Sequence, residues 1–216
     1  MSKRLVIFDL DGTLLDTIGD LARACNFVMW RHGYPQHDVT RYRMLVGNGV
    51  SKLIERALPE NVRNATLAEK LRPEFIDYYN EHISEHTQPY LGIEELLNDL
   101  SRQGIMTAVA SNKYIDGTRK LVKRFFPDIS FAAVLGQRTG IPVKPDPHIV
   151  NEIMELTSAT PSATLYIGDS GVDMQTAANA GVESVGVSWG FRSREELVKN
   201  KACHIVDTAG EILRFV

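Results

Sequence analysis

The sequence predicts an α/β protein: a doubly wound parallel sheet with an all-helical cap subdomain inserted into it. Three observations carry that expectation. A continuous apolar run, residues 5–8 (Leu-Val-Ile-Phe), stops at Asp9 and Asp11 in the manner of a strand buried on both faces. From about residue 90 onward, apolar runs of strand length alternate with helix-period segments, the rhythm of a parallel sheet covered by helices. Between these two regions, residues 17–86 show helical spacing and no convincing strand. The expected division is therefore a core of residues 1–16 and 87–216 and a cap of residues 17–86, too short and helical to stand alone and so docked on the core.

Taken in order, the run after residue 17 places Ile18, Leu21, Ala22, Cys25, Val28 and Met29 on one helix face, and His32-Gly33 ends it. A second helix is expected over 50–58, after the glycine-broken Val46-Gly47-Asn48-Gly49. A third starts near Thr66 with Leu67, Leu71, Phe75 and Tyr78 or Tyr79 inward, and Pro73 either bends it or delays its start. In the second region, 93–103 reads as a helix and 105–110 as a strand interrupted by Ser111-Asn112-Lys113. Residues 118–126 read as a helix, 131–135 as a strand and 136–145 as a polar loop. Helices over 147–156 and 172–180 flank a strand over 164–167. The chain finishes with strands at 183–187 and 204–206 around a helix at 194–199.

A chain of 216 residues buries a proper core. Its net charge of −3, with both signs interspersed, gives no basic stripe for nucleic acid or an anionic membrane surface. No segment approaches the roughly 20 apolar residues of a membrane helix, and the run after Met-Ser-Lys-Arg is too short for a signal-peptide core. A cytoplasmic protein, monomer or homodimer, is expected. Cys25 and Cys203 read as small buried hydrophobes of a reducing compartment.

In an open parallel sheet, ligands bind beyond the carboxyl ends of the strands. Asp9 follows the first strand, Ser111 the strand at 105–110, Lys144 the loop after 131–135, and Asp169 the strand at 164–167. Four groups suited to phosphoryl transfer thus fall on one edge. Asp9 and Asp11, two apart, point to the same side of an extended backbone and repel unless a cation or a proton intervenes, while Gly12 turns the chain away. Ser111 and Asn112 offer hydrogen bonds to phosphate oxygens, and Lys144 offers a compact positive charge, its backbone constrained by Pro145 and its loop leading into Asp146-Pro147 as helix cap and first turn. Asp169 suits Mg²⁺ coordination beside Asp9, with the Asp11 backbone carbonyl and waters completing an oxygen octahedron. Asp173, four residues on, either holds metal-bound water, orients Lys144, or simply complements a helix N-terminus. No Gly-x-x-x-x-Gly-Lys-Ser/Thr loop is present, and His82 and His86 lack the neighbouring Glu of a metalloprotease helix.

The run Asp9-Leu10-Asp11-Gly12-Thr13-Leu14 with Asp16-Thr17 resembles the first motif of the haloacid-dehalogenase-like phosphohydrolases, and Ser111, Lys144 and the Asp169/Asp173 pair resemble the other three. The resemblance implies a Rossmann-like core, Asp9 as a nucleophile that becomes an aspartyl phosphate, and Asp11 as general acid and base. Asp16-Thr17-Ile18-Gly19-Asp20-Leu21, Val46-Gly47-Asn48-Gly49-Val50 with Glu55-Arg56-Ala57-Leu58, Trp189-Gly190-Phe191-Arg192-Ser193 and His204-Ile205-Val206-Asp207-Thr208 look similar to phosphoglycolate phosphatases in particular. That implies a small phosphorylated metabolite as substrate, best 2-phosphoglycolate, held in part by backbone amides around Asn48. Arg43 is either a partner for its carboxylate or a surface residue. Pyrophosphatases and nucleotidases share much of this pattern. Sugar-phosphate mutases of the β-phosphoglucomutase type carry His where Leu21 stands, which favours hydrolysis.

Overall fold

The structure is a computed structural model and describes residues 2–216. Strand β1 (Leu5–Phe8) is wholly buried, and the short β2 (Leu15–Asp16) follows a tight turn. Four helices come next: α1 (Ile18–Arg31), α2 (Val39–Leu45), α3 (Val50–Ala57) and α4 (Ala65–His82). Strand β3 (Gln88–Pro89) returns antiparallel to β2, so both crossings between the helical segment and the sheet pass through one two-stranded pair. The remainder alternates: α5 (Ile93–Arg102), β4 (Met106–Tyr114), α6 (Ile115–Phe125), β5 (Ala133–Gln137), α7 (His148–Thr157), β6 (Thr164–Gly168), α8 (Gly171–Ala180), β7 (Glu183–Val187), α9 (Arg194–Lys199) and β8 (His204–Val206).

The six long strands form one parallel sheet in the order β5-β4-β1-β6-β7-β8. The chain builds outward from β1 through β4 to β5, then crosses back to build β6, β7 and β8. Strand β1 therefore lies at the switch point, where the connections diverge and leave a crevice. Its alternating side chains feed two layers, as the period of a strand requires. Val6 and Phe8 pack with Leu96, Leu97, Leu121 and Val122 of α5 and α6. Leu5 and Ile7 pack with Ile149, Val150, Ile153 and Ala177 of α7 and α8. The core is thus helix, sheet, helix, a doubly wound fold.

The inner faces of the four helices pack on one another through Cys25, Val28, Tyr42, Leu53, Ile54, Leu71 and Phe75, in a cluster continuous with the Val6/Phe8 layer. Asp20 on the first turn of α1, itself buried, accepts hydrogen bonds from the backbone of His86 and Thr87 and from the Thr87 hydroxyl, tying the entry of the segment to its exit.

Four expectations need correction. Strand β4 does not stop at Ala110 but runs to Tyr114, with a register break opposite β5 between Ala110 and Tyr114. Ser111 and Lys113, polar residues that read as loop, are buried at that irregularity. Helix α2 was not expected. It buries only Tyr42, and Val39 and Met44 are exposed, so it carries no amphipathic signature. Pro147 is the N-cap of α7 rather than its first residue, with Asp146 Oδ1 accepting from His148 N. Cys203 is exposed rather than buried, because it precedes β8 instead of lying in it; both cysteines are free. Pro73 lies inside α4, which begins at Ala65 under an Asn64 cap.

Candidate active site

The backbone N–H of Asp9 donates to Ile167 O at 2.9 Å, extending the β1–β6 ladder by one residue and fixing where the Asp9 side chain leaves the sheet. The chain then turns at Gly12, whose φ of 90° and contact with Asp169 leave no space for a Cβ. The result is a carboxylate at the carboxyl edge of the central strand, 8% exposed.

Lys144 reaches that carboxylate from the loop between β5 and α7. Its Nζ lies 2.8 Å from Asp9 Oδ1 and 2.7 Å from Asp173 Oδ1, and donates also to Ala110 O and the Tyr166 hydroxyl. Its backbone is held as firmly. Asn112 accepts from Lys144 N through Oδ1 at 2.8 Å and donates to Lys144 O through Nδ2 at 3.1 Å, so the end of β4 clamps the loop from both sides. Burial alone would pull the Lys144 ammonium below its ordinary range; the Asp173 and Asp9 charges outweigh it and hold the pKa well above. At Asp9, burial wins. Only partly offset by Lys144, and reinforced by the Asp173 and Asp11 charges, it pushes the carboxyl up to about 7.

Asp169 directly follows β6, and its Oδ2 accepts from Phe191 N at 2.7 Å. Gly190 packs so closely on Asp169 and on Gly12 O that a side chain there would collide with both. Burial, then the Asp173 and Asp9 charges, raise the Asp169 pKa well above the carboxylate range. Asp173 belongs to the first turn of α8. Its Oδ2 accepts from Ser170 N at 3.1 Å and from Ser170 Oγ at 2.5 Å, completing a capping box, while its Oδ1 takes Lys144 and Tyr166.

One carboxylate oxygen from each of Asp9, Asp169 and Asp173 lies within 4.8 Å of the others. Hard oxygen donors so spaced suit an octahedral divalent cation with ligands at about 2.0–2.1 Å, and the raised pKa values of Asp9 and Asp169 are those of carboxylates short of positive charge. The donor set therefore fits Mg²⁺. Each oxygen of Asp173 already accepts two hydrogen bonds, whereas those of Asp169 accept one each, from Thr13 Oγ1 and Phe191 N, and Asp9 Oδ1 meets Lys144, which leaves Asp9 and Asp169 as the carboxylates with capacity to spare.

The Asp11 side chain stands outside that cluster. Its Oδ1 accepts from the Thr17 hydroxyl at 2.6 Å and pairs with Lys113 Nζ at 3.0 Å. Lys113, buried, also has its ammonium 4.7 Å from the centroid of the Tyr79 ring on α4. A cavity of about 120 Å³ opens between these groups and the helical segment. It brings Asp9, Asp11, Ser111, Asn112, Lys144, Asp169 and Asp173 together with the loop carrying Asn48, whose φ of 62° continues the positive φ of Gly47 and Gly49. Arg43 is not among its walls: it is exposed on α2, and its Nη1 donates to Gly190 O at 3.3 Å. The cations that do line the cavity besides Lys144 are Lys113 and Arg192, neither singled out from sequence. Lys113 carried a usable signal, a lysine inside Ser111-Asn112-Lys113 at a strand end; Arg192 carried none beyond a short family-like run.

The sequence profile of the haloacid dehalogenase-like hydrolases matches residues 6–187. The chain belongs to the haloacid dehalogenase-like hydrolase family. Within it, the chain is similar to a phosphoglycolate phosphatase of Mesorhizobium japonicum, 34% identical over 90% of this chain and 86% of that one. It is 33% identical to the phosphoglycolate phosphatase of Pseudomonas putida over 97% of this chain and 78% of that one. The crystal structure of a provisionally assigned phosphoglycolate phosphatase from Lactobacillus delbrueckii subsp. bulgaricus superposes with a TM-score of 0.92 at 33% identity, covering 98% of this chain and 97% of that chain. Mg²⁺ dependence and an aspartyl-phosphate intermediate are typical of haloacid dehalogenase-like phosphatases. Among the described residues, no helix of this member is long and apolar enough to cross a membrane.

Proposed function

We propose that this protein is a Mg²⁺-dependent phosphatase of a small phosphate monoester, best 2-phosphoglycolate, working in the cytoplasm through an aspartyl phosphate on Asp9. The observation that carries the reading is the convergence of Lys144 on Asp9 and Asp173 beside Asp169, from loops after β5, β1 and β6, at the switch point of the sheet. The cation would be held by Asp9, Asp169 and the Asp11 backbone carbonyl, and would supply neutralisation of phosphoryl charge.

Uncatalysed hydrolysis of phosphate monoesters is slow enough that enzyme accelerations reach about 10²¹, and the typical 10²–10⁴ from acid–base catalysis cannot supply that alone. Asp9 therefore attacks phosphorus in line, one of its oxygens forming the new P–O bond as the ester oxygen departs. Lys144, fixed at both backbone and ammonium, meets the charge that develops on the phosphoryl oxygens, and the Ser111 hydroxyl donates to one of them. Asp11 gives its proton to the leaving alkoxide. It then takes one from water, whose oxygen attacks phosphorus, releasing phosphate and restoring the Asp9 carboxylate. Thr17 and Lys113, both on Oδ1 of Asp11, keep that group directed while Oδ2 stays without a hydrogen bond among the described residues.

The cavity supports a small substrate. At about 120 Å³ it falls well below the roughly 300–1,000 Å³ of pockets that take drug-sized ligands. The helical residues of 17–86 act as the cap that closes it, and all the proposed groups come from one chain, which supports a monomer or a homodimer of independent sites. The test is phosphate release from 2-phosphoglycolate and p-nitrophenyl phosphate. The native protein with Mg²⁺ turns over both, and both EDTA and Asp9→Asn abolish turnover. Unchanged release by Asp9→Asn would sink the mechanism, and a clear preference for pyrophosphate or nucleotides would sink the substrate.

A further inference from the structure

The helical cap and the core exchange arginines. Helix α2 ends at Leu45, and its last carbonyls have no donors within the helix, while its dipole leaves that end partly negative. Two guanidinium groups fill the deficit from opposite sides. Arg56, on α3 of the cap, donates to Leu45 O at 2.9 Å, Gly47 O at 3.1 Å and Asn48 Oδ1 at 2.8 Å. Arg192, on the segment after β7 of the core, donates to Arg43 O and, at 2.6 Å, to Val46 O. In return Arg43 of the cap donates to Gly190 O of the core at 3.3 Å. Each side therefore supplies one guanidinium to a backbone carbonyl of the other.

The core end of this exchange is anchored in the site. Arg192 Nε pairs with Glu196 at 3.5 Å, and Glu196 accepts from Gly171 N at the start of α8. The residue before Arg192, Phe191, donates to Asp169, and the one before that, Gly190, packs against Asp169 and Gly12. The cap end is the loop that roofs the cavity. Gly47 lies between the two guanidinium groups, a Cβ there being 3.6 Å from Arg192 Nη2 and 3.9 Å from Arg56 Nη1. One at Gly49 would meet Gln137 and Asn112 of the core. Burial, and then the Arg192 charge, lower the Arg56 pKa, the mark of two like charges held together by the carbonyls between them.

We propose that Arg192 and Arg43 form a reciprocal clasp that fixes the height of the loop 46–49 above Asp9, and that Arg192 is thereby the positioning residue that restricts the cavity to short phosphate esters. The clasp stands on its own; the restriction rests on the phosphatase reading. Without Arg192 the end of α2 loses its donors from the core, the loop lifts, and longer esters gain access while the groups around phosphorus stay in place.

Two measurements test it. In hydrogen exchange without metal or substrate, Arg192→Ala speeds exchange at least fivefold over residues 39–49 and leaves the sheet strands unchanged. Arg43→Ala, an exposed change that spares the fold, gives a smaller effect in the same region. In the assay with Mg²⁺, Arg192→Ala lowers the kcat/KM ratio of 2-phosphoglycolate to a hexose phosphate at least tenfold. Arg192→Lys, able to serve one carbonyl at a time, falls between. Unaltered exchange over 39–49 in the folded variants, or acceleration spread evenly over the chain, would overturn the clasp. A uniform loss for all substrates would overturn the specificity role. A native protein with no phosphatase activity would remove the specificity role together with the function, while the exchange data would still decide the clasp.

Discussion

Replacing Lys144 with Met offers the sharpest test of the charge arrangement around Asp9. The side chain keeps much of its volume and loses an ammonium that holds two buried carboxylates, Asp9 at 2.8 Å and Asp173 at 2.7 Å. Removing one partner of a buried pair typically costs about 3–5 kcal/mol, because the other charge is left uncompensated. Here the cost depends on pH. The Asp9 carboxyl is raised from 3.8 to about 7, so the folded protein ionises it around neutrality rather than near pH 4. At pH 8 the variant, without the ammonium that lowers the Asp9 pKa, must hold on Asp9 a proton that the native protein has largely released, and it leaves Asp173 uncompensated as well, so it should lose about 3–5 kcal/mol. At pH 5 Asp9 is protonated in either protein and only the Asp173 partnership is lost, so the penalty should shrink by about 1–2 kcal/mol, on the scale of about 1.4 kcal/mol for each unit of pKa shift. Urea denaturation of EDTA-treated native and variant protein at the two pH values measures the difference. A penalty below about 1 kcal/mol at pH 8, or one indifferent to pH, would refute the reasoning. With Mg²⁺ present, kcat should fall at least about 10²–10³-fold, the usual loss for one preorganised donor to a transition-state oxygen.

Two further outcomes follow from the same geometry. A proton on Asp9 competes with a cation, so the apparent Mg²⁺ affinity measured by titration calorimetry should rise at least about tenfold from pH 6 to pH 8, given the value of about 7; an affinity constant over that range would remove Asp9 from the ligands. Gly190→Ala should cost about 1–3 kcal/mol in thermal or urea unfolding, because the new methyl overlaps Asp169 and Gly12 O, and should weaken Mg²⁺ binding by displacing Asp169. Native-like stability and affinity in that variant would show that the strap after β7 is free to move.

What was legible in the sequence shares one property: it depends on side-chain type at a spacing set by the backbone. The run Leu5–Phe8 is apolar because both faces of β1 are covered, and the acids after it are visible because Asp9 and Asp11 break that run two residues apart. Asp169 and Lys144 could be placed on the same edge from strand order alone, since the loops after parallel strands all emerge there. Residues that act through backbone groups were not legible. Asn112 was read as a substrate contact, yet both ends of its amide are bound to the backbone of Lys144. Arg192 grips the carbonyls of Arg43 and Val46, and carbonyls leave no trace in residue identity. Arg43 stays open in the sequence between a partner for a substrate carboxylate and a surface residue. Its actual direction is set by α2, a helix that hides from periodicity because Val39 and Met44 face solvent.

The balance of charge in the site argues for the order in which its ligands arrive. Four carboxylates, Asp9, Asp11, Asp169 and Asp173, face two ammonium groups, Lys113 and Lys144, and the remaining guanidinium, Arg192, is paired with Glu196. Fully ionised, this set would bury an excess of two negative charges, and that crowding adds to burial in raising the pKa values of Asp9 and Asp169. A phosphate dianion entering such a site alone would meet repulsion from the nucleophile meant to attack it. One divalent cation cancels the excess, and only then do Lys144 and the Ser111 hydroxyl present a net attraction to the phosphoryl group. Cation before substrate is thus built into the residues: at micromolar Mg²⁺ the apparent KM for the phosphate ester should rise steeply with the limiting rate unchanged, and with the cation removed altogether no substrate concentration should restore turnover. If high substrate alone recovered turnover without the cation, the carboxylate excess would have to be neutralised by protons instead, and activity would then peak on the acid side of the Asp9 value of about 7.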